Sequence, residues 1–276
     1  MTTQEEKARQ FAAYHRDPGI FLIPNPWDIG SARLLALEGF KALATTSAGC
    51  AFALGVPDTK VGRDAVLAHV RQIVDATPLP VNADLENGFG DAPERVAETI
   101  RLAALTGIAG GSIEDACEGR VYDRALAVER VQAAVEAVRA LGFEFVFTAR
   151  CENYLCGNPD LDDTIERLVA YRDAGADVLY APGIKTEADI AAVVAAVQRP
   201  VNVLAGLAGF ALSVDALASL GVKRVSVGGS LARAAYGGFL RAVQEIAHQG
   251  TFAYADSAVP HAQLDALFAR ADGSAR

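Results

Sequence analysis

The chain has few cysteines, few histidines and no concentration of positive charge. Cys50, Cys117, Cys151 and Cys156 are irregularly spaced and have no histidine nearby, which excludes a disulfide framework and the ligand spacing of a zinc site. They read as reduced thiols. The balance of 25 basic against 34 acidic residues gives a formal charge of -9. No lysine- or arginine-rich run is present to neutralise phosphates, so neither nucleic acid nor an anionic membrane is an expected partner. No apolar stretch approaches the roughly 20 residues of a membrane span, and the polar start MTTQEEKARQ lacks the apolar core of a secretion signal. A cytoplasmic protein is expected. Linkers and low-complexity tracts are also missing, so residues 1–276 read as one domain.

Apolar material is abundant. Hydrophobic residues make up 51% of the chain, enough to fill a core for a domain of 276 residues. Short apolar runs recur at FLIPN (21–25), ALATT (42–46), PVNAD (80–84), GGSIED (110–115), EFVFTAR (144–150), DVLYAP (177–182), PVNVLA (200–205) and RVSVGG (224–229). Helical spacing fills the intervals, with Val66, Val70 and Ile73 on one face, Val96, Ile100 and Ala103 on another, and Ile190, Val193 and Val197 on a third. Eight βα units in one direction predict a closed (β/α)8 TIM barrel, with a doubly wound open sheet as the alternative. No glycine-rich dinucleotide loop follows the first strand, where NPWDIGSA instead places Asp28 to cap a helix. After the eighth strand, ARAAYGGFLRAVQEIAHQ supplies the eighth helix. Residues 250–276 then add a helical extension that closure does not require. Its apolar stripe needs a cover, and a partner subunit is the expected one.

In a parallel barrel the residues just beyond each strand form the catalytic mouth. Asp84 and Glu86 end the third strand, Glu114 and Asp115 the fourth, and Asp58 lies in LGVPD after the second. Neighbouring strands are about 4.8 Å apart, so acids from consecutive strand ends can converge on one ion. Oxygen ligands of this kind suit Mg2+, with Mn2+ as a substitute. Singly, each acid also reads as a solvated loop residue. The glycines of NGFG let the backbone turn tightly, in the expected place beside a ligand. Arg150 ends the fifth strand and can clamp a carboxylate, although bridging Glu114 or Glu152 is its plainer role. TTSAG (45–49) offers hydroxyls and backbone N–H groups to an anion, or simply permits a tight turn.

Taken in order, NPWDIGSARL, TTSAG, GVPD, ADLENGFGD, GGSIED, TARCENY and GGSLARAA resemble the motifs of the isocitrate lyase / phosphoenolpyruvate mutase superfamily over nearly the whole chain. The resemblance implies a (β/α)8 barrel, an outer helix exchanged between paired subunits in a dimer of dimers, and Mg2+-assisted chemistry through the enolate of a 2-oxo acid. It implies that Asp84, Glu86 and Glu114 hold the metal or its waters, with Asp58 nearby and catalytic. It further implies that Thr46, Ser47 and Ala48 cradle a substrate carboxylate, and that Arg150 binds substrate and serves catalysis.

Two departures bear on the reaction. The lyase branch carries a K-[KR]-C-G-H loop, whereas ACEGRVYDRALAVERV follows here. Cys117 comes too soon after SIED and lacks the basic and histidine neighbours that favour a thiolate. The gating loop of the mutase branch, E-D-K with a downstream asparagine, is also missing. Segment 116–124 is therefore too short for either gate, although Arg120, Tyr122 and Arg124 are placed to reach inward. His15, His69, His248 and His261 fall away from the strand ends and read as structural or surface residues. The leading expectation is a carbon-carbon lyase acting on a small 2-oxo or 2-hydroxy di- or tricarboxylate. Oxaloacetate-type decarboxylation ranks ahead of methylisocitrate-like cleavage, because it chiefly needs an electron sink. Phosphonopyruvate-type P–C chemistry using Asp58, and a 2-oxo acid binding protein with little turnover, are the alternatives.

Overall fold

In the computed structural model, which describes residues 2–271, all eight apolar runs form parallel strands. They are β1 (Phe21–Ile23), β2 (Leu43–Ala44), β3 (Val81–Asp84), β4 (Gly110–Glu114), β5 (Val146–Arg150), β6 (Val178–Tyr180), β7 (Val201–Leu204) and β8 (Arg224–Ser226). The ladder runs β1-β8-β7-β6-β5-β4-β3-β2. Between β1 and β2, Ala44 N–H donates to the carbonyl of Pro24 at 3.1 Å. Pro24 and Pro26 bring no N–H of their own to this seam. The Asn25 side chain reinforces it, donating to Thr45 O at 2.9 Å and accepting from the N–H groups of Val227 (2.9 Å) and Gly228 (2.8 Å). One amide thus ties β1, β2 and β8. The sheet is a nearly closed (β/α)8 barrel, not an open sheet.

Helix starts follow capping chemistry legible in the sequence. Asp28, Thr46, Asp123, Asp160, Thr186 and Ser213 each accept a backbone N–H from the first turn of their own helix. The helix faces read from the spacing, such as Val96, Ile100 and Ala103, are buried against outward strand residues including Ala83, Phe147 and Leu179. Inside the barrel the amino end is closed by the helix Gln4–Arg16. Its Phe11 packs with Phe21, Val146 and Val178, and the Phe11 and Phe21 rings meet edge to face at 6.3 Å.

Segment 116–124 supplies a two-stranded hairpin, Ala116–Cys117 against Arg120–Val121, and the start of the next helix. The eighth helix, Ser230–Gln249, buries only Ala232 and leaves Phe239, Leu240, Val243 and Ile246 exposed. A 3-10 turn, Ala253–Ser257, follows. Glu245 holds it by accepting the N–H groups of Ala253 (2.6 Å) and Tyr254 (2.9 Å). The last helix, His261–Ala271, then lies on Ile29–Leu37 of the same chain, with Phe268 facing Gly30. The eighth helix thus carries an exposed apolar stripe, and Phe252 (65%) and Val259 (52%) of the extension are exposed as well. Residues 272–276 of the expected extension lie outside the described residues. Among the described residues no helix is long and apolar enough to cross a membrane.

Candidate active site

Alternation along a strand sends successive side chains to opposite faces, so Glu114 and its neighbour Asp115 cannot serve the same site. Register pairs Glu114 with Arg150, and Arg150 with Tyr180, on adjacent strands. Arg150 Nη1 lies 2.8 Å from Glu114 Oε1 and 3.1 Å from Asp84 Oδ1, while its Nε donates to Glu152 Oε1 at 2.8 Å. Its guanidinium carbon stands 5.0 Å from the Tyr180 ring centroid. Asp84 Oδ2 accepts the N–H of Ser47 at 3.0 Å, which joins the third strand end to the TTSAG turn. Asp115 points the other way. It is buried, accepting from Tyr171 Oη at 2.5 Å and from the N–H of Glu152 at 2.8 Å.

Five carboxyls crowd this one guanidinium: Asp84, Glu114 and Glu152 in direct pairs, with Asp58 and Glu86 at longer range. Burial raises the Glu114 carboxyl well above the usual range, against the pull of Arg150. Glu86 is pushed up to about 7 by burial, then by Asp84 and Asp58. Asp58 sits on an exposed loop, and its carboxyl is raised by partial desolvation and then by Asp84. Negative charge in excess of its local counter-ion is what a divalent cation relieves, and all the donors are hard oxygens. Among the described residues no three such side chains stand close enough to ligate an ion together. That arrangement fits Mg2+ bound by one or two carboxylates, with waters bridging the others.

The NGFG turn is packed closely against the helix that follows it. Gly88 has φ +81°, and a Cβ there would meet Val96 at 3.1 Å, while one on Gly90 would come within 2.6 Å of Arg95. Both neighbours belong to the helix Pro93–Ala104 that follows. Arg130, which is 1% exposed, fixes the turn from the helix Arg124–Arg139. It donates to the carbonyls of Asn87, Gly90 (2.7 Å) and Asp91 (2.5 Å), and lies 4.3 Å from the Tyr122 ring centroid. Tyr122 Oη in turn donates to Asp91 at 2.6 Å and accepts from Asn87 at 2.9 Å. Tyr122 therefore braces the loop that follows Asp84 and Glu86. Arg124 pairs outward with Glu166.

Two cavities meet at Ser47, Asp58, Arg150 and Leu155. The first, about 280 Å³, runs into the barrel and is walled by Thr46, Ser47, Ala48 and Asp84. The second, about 810 Å³, opens beside Glu86, Glu114, Cys117 and Cys156. All the residues expected at the site thus border one connected space. Glu152, Tyr180 and Arg130 were not singled out for the site from the sequence, although Glu152, two residues beyond Arg150, was recognised as a bridging partner.

The phosphoenolpyruvate phosphomutase family model matches residues 11–247. The chain belongs to this family. A protein of Burkholderia cenocepacia J2315, provisionally assigned as a lyase or mutase, is 62% identical, with a TM-score of 0.94 over 96% of this chain and 97% of that one. Probable 2-methylisocitrate lyase 2 of Corynebacterium glutamicum is 30% identical over 89% of this chain and 82% of its own. Oxaloacetate acetylhydrolase, solved with its product oxalate, is 26% identical with a TM-score of 0.88, covering 99% of this chain and 97% of that one. The family member described here is accordingly an enzyme of the isocitrate lyase / phosphoenolpyruvate mutase superfamily, whose relatives are lyases and mutases of small organic acids.

Proposed function

We propose that this enzyme is a Mg2+-dependent carbon-carbon lyase acting on a small 2-oxo or 2-hydroxy di- or tricarboxylate. Decarboxylation of an oxaloacetate-type acid ranks ahead of methylisocitrate-like cleavage. The meeting of Arg150 with Asp84 and Glu114, at the junction of the two cavities, carries the reading. Asp84, Glu86 and Glu114 would hold the ion, in part through water, and Mn2+ would substitute. When bound, it supplies a Lewis acid that steadies negative charge on a 2-oxo group.

Arg150 Nη2 forms no hydrogen bond among the described residues and is left to take a substrate carboxylate. Thr46, Ser47 and Ala48 wall the same cavity and receive the substrate beside it. Neither histidine nor cysteine lines that cavity among the described residues. Loss of carbon dioxide leaves an enolate and needs no acid in the bond-breaking step, whereas an aldol-type cleavage calls for a general base. A second reading, P–C chemistry, is favoured by Asp58, which borders both cavities. The exposed stripe of Phe239, Leu240, Val243 and Ile246 supports a homo-oligomer, a dimer of dimers, in which a second copy covers the eighth helix. Residues 250–276 would be an extension of the single barrel domain.

Incubating purified enzyme with oxaloacetate, methylisocitrate and phosphonopyruvate, with and without chelator, tests the proposal. Chelator-sensitive release of carbon dioxide or of a C–C cleavage product supports it. Phosphate transfer supports the second reading, and binding without any product contradicts both.

A further inference from the structure

The interior of a (β/α)8 barrel is ordinarily filled by branched apolar side chains. Below the site, this one is polar. Asn82, Thr148, Asn202 and Arg224 are all at most 3% exposed, and they belong to β3, β5, β7 and β8. Arg224 reaches across the barrel. Its Nε donates to Asn202 Oδ1 at 2.8 Å, its Nη2 to Thr148 Oγ1 at 3.0 Å, and its Nη1 lies 3.3 Å from His15 Nε2. His15 Nδ1 is 2.8 Å from the carbonyl of Phe11, so Nδ1 carries the proton and Nε2 is the acceptor.

Every one of those partners is neutral. Among the described residues no carboxylate pairs with Arg224, and the acids at the mouth are committed to Arg150. A buried cation without a counter-ion is costly, and this one keeps N–H donors beyond the three bonds it makes. Asn82 adds a second mismatch in the same space. Its Oδ1 is buried with no partner, and its Nδ2 makes only a 3.4 Å contact with Ala83 O. Little holds the amide one way round, and turned over it presents N–H groups instead. Gly110 leaves the room for this: a Cβ there would come within 3.0 Å of Asn82 Oδ1 and 2.6 Å of Val146 O.

The 280 Å³ cavity joins the two levels, because Ser47, Asp84 and Arg150 line its mouth while Asn82, Asn202 and Arg224 line its depth. We propose that the floor of this cavity is a second anion subsite, in which Arg224, with the Asn82 amide, takes the distal carboxylate of a dicarboxylic substrate. This rests on the lyase reading only for the identity of the group at the other end. Arg224 then distinguishes diacids from monoacids, a role separate from the metal acids and Arg150.

Calorimetry with Mg2+ present and matched pairs, 2-oxoglutarate against 2-oxopentanoate and oxaloacetate against 2-oxobutyrate, tests the subsite. Hydrogen bonds to a buried charge predict that the wild type binds the diacid of at least one pair about tenfold or more tighter. Arg224→Gln should abolish that preference while leaving the monoacid within about twofold. Equal binding within both pairs, or a preference that survives in R224Q, overturns the proposal. Should neither class bind, the lyase reading fails by itself, and a bromide soak of wild-type crystals decides the subsite independently of any organic ligand or folded variant. An anomalous peak within hydrogen-bond reach of Arg224 and Asn82 supports it. The lack of that peak overturns it.

Discussion

Arg150 and Glu114, partners in register on β5 and β4, hold their Nη1 and Oε1 atoms 2.8 Å apart, and the same Nη1 stands 3.1 Å from Asp84. One guanidinium is thus the local counter-ion of acids from two further strands. Removing it leaves buried carboxylates uncompensated. Arg150→Gln is expected to lower stability by about 3–5 kcal/mol, the usual scale for breaking a buried pair, and to lose at least about a hundredfold in kcat/KM. Thermal melts should show Mg2+ restoring part of the lost stability to the variant. Destabilisation untouched by Mg2+ would separate the arginine from the proposed ion site.

Asp84→Ala and Glu114→Ala should abolish Mg2+-dependent binding of oxalate or pyruvate while leaving the far-ultraviolet circular dichroism of a folded barrel. Asp84 takes the N–H of Ser47 as well as Arg150, so its variant should also loosen the TTSAG turn. Isothermal titration with and without the ion is the measurement, and unchanged binding in either variant counts against the assignment.

Arg130 acts at a distance from the reacting atoms. It satisfies three carbonyls of the turn that follows Asp84 and Glu86, so Arg130→Met removes the donors from those part-buried oxygens. The expected cost is about 3 kcal/mol in urea unfolding, with weaker Mg2+ binding and partial rescue by Arg130→Lys. Equal stability of the methionine variant would remove the clamp from the account.

His15 carries a pH prediction. Burial, then Arg224, hold its pKa down to about 3, with Lys223 and Arg16 adding to the effect and the Phe11 carbonyl opposing it. The unfolded chain, with an ordinary pKa of about 6.5, takes up this proton first. Stability from neutral His15 is therefore complete above pH 6.5 and drains away as pH falls toward 3, by on the order of 4 kcal/mol. Wild type should lose more stability than His15→Gln between pH 7 and pH 4 in parallel denaturant titrations. Parallel pH curves would contradict a buried neutral imidazole.

Cys117→Ser should change turnover by less than about threefold, since Cys117 sits on the rim hairpin and borders only the outer cavity. A loss of several orders of magnitude in steady-state assays would return the thiol to the mechanism.

The barrel was legible because its evidence is local and repeated. Apolar runs, capping residues such as Asp28 and helical faces such as Val66, Val70 and Ile73 each follow from a few neighbouring positions. Strand ends then located Asp84, Glu114 and Arg150, because parallel topology fixes where such ends lie. Arg130 and Arg224 escaped for the opposite reason. The partners of each are remote in sequence, and spacing carries no record of a contact between Arg224 and Thr148 or His15. The NGFG glycines read as a tight turn, and the structure adds that a Cβ there would meet Val96 and Arg95, contacts that spacing does not record. The surplus C-terminal segment is legible as well, whereas the bare apolar face of the helix before it, with Phe239, Leu240, Val243 and Ile246, adds to the exposed Phe252 and Val259 of the segment.

The proposed function requires acids of neighbouring strand ends to gather a divalent ion beside Arg150. A crystal structure grown with Mg2+ and oxalate tests it most directly. The expected result is an ion at about 2.0–2.1 Å from a carboxylate oxygen of Asp84, with waters linking it to Glu86 and Glu114, and oxalate within reach of Arg150. A barrel mouth holding neither ion nor oxalate, at concentrations that saturate binding in solution, would contradict it.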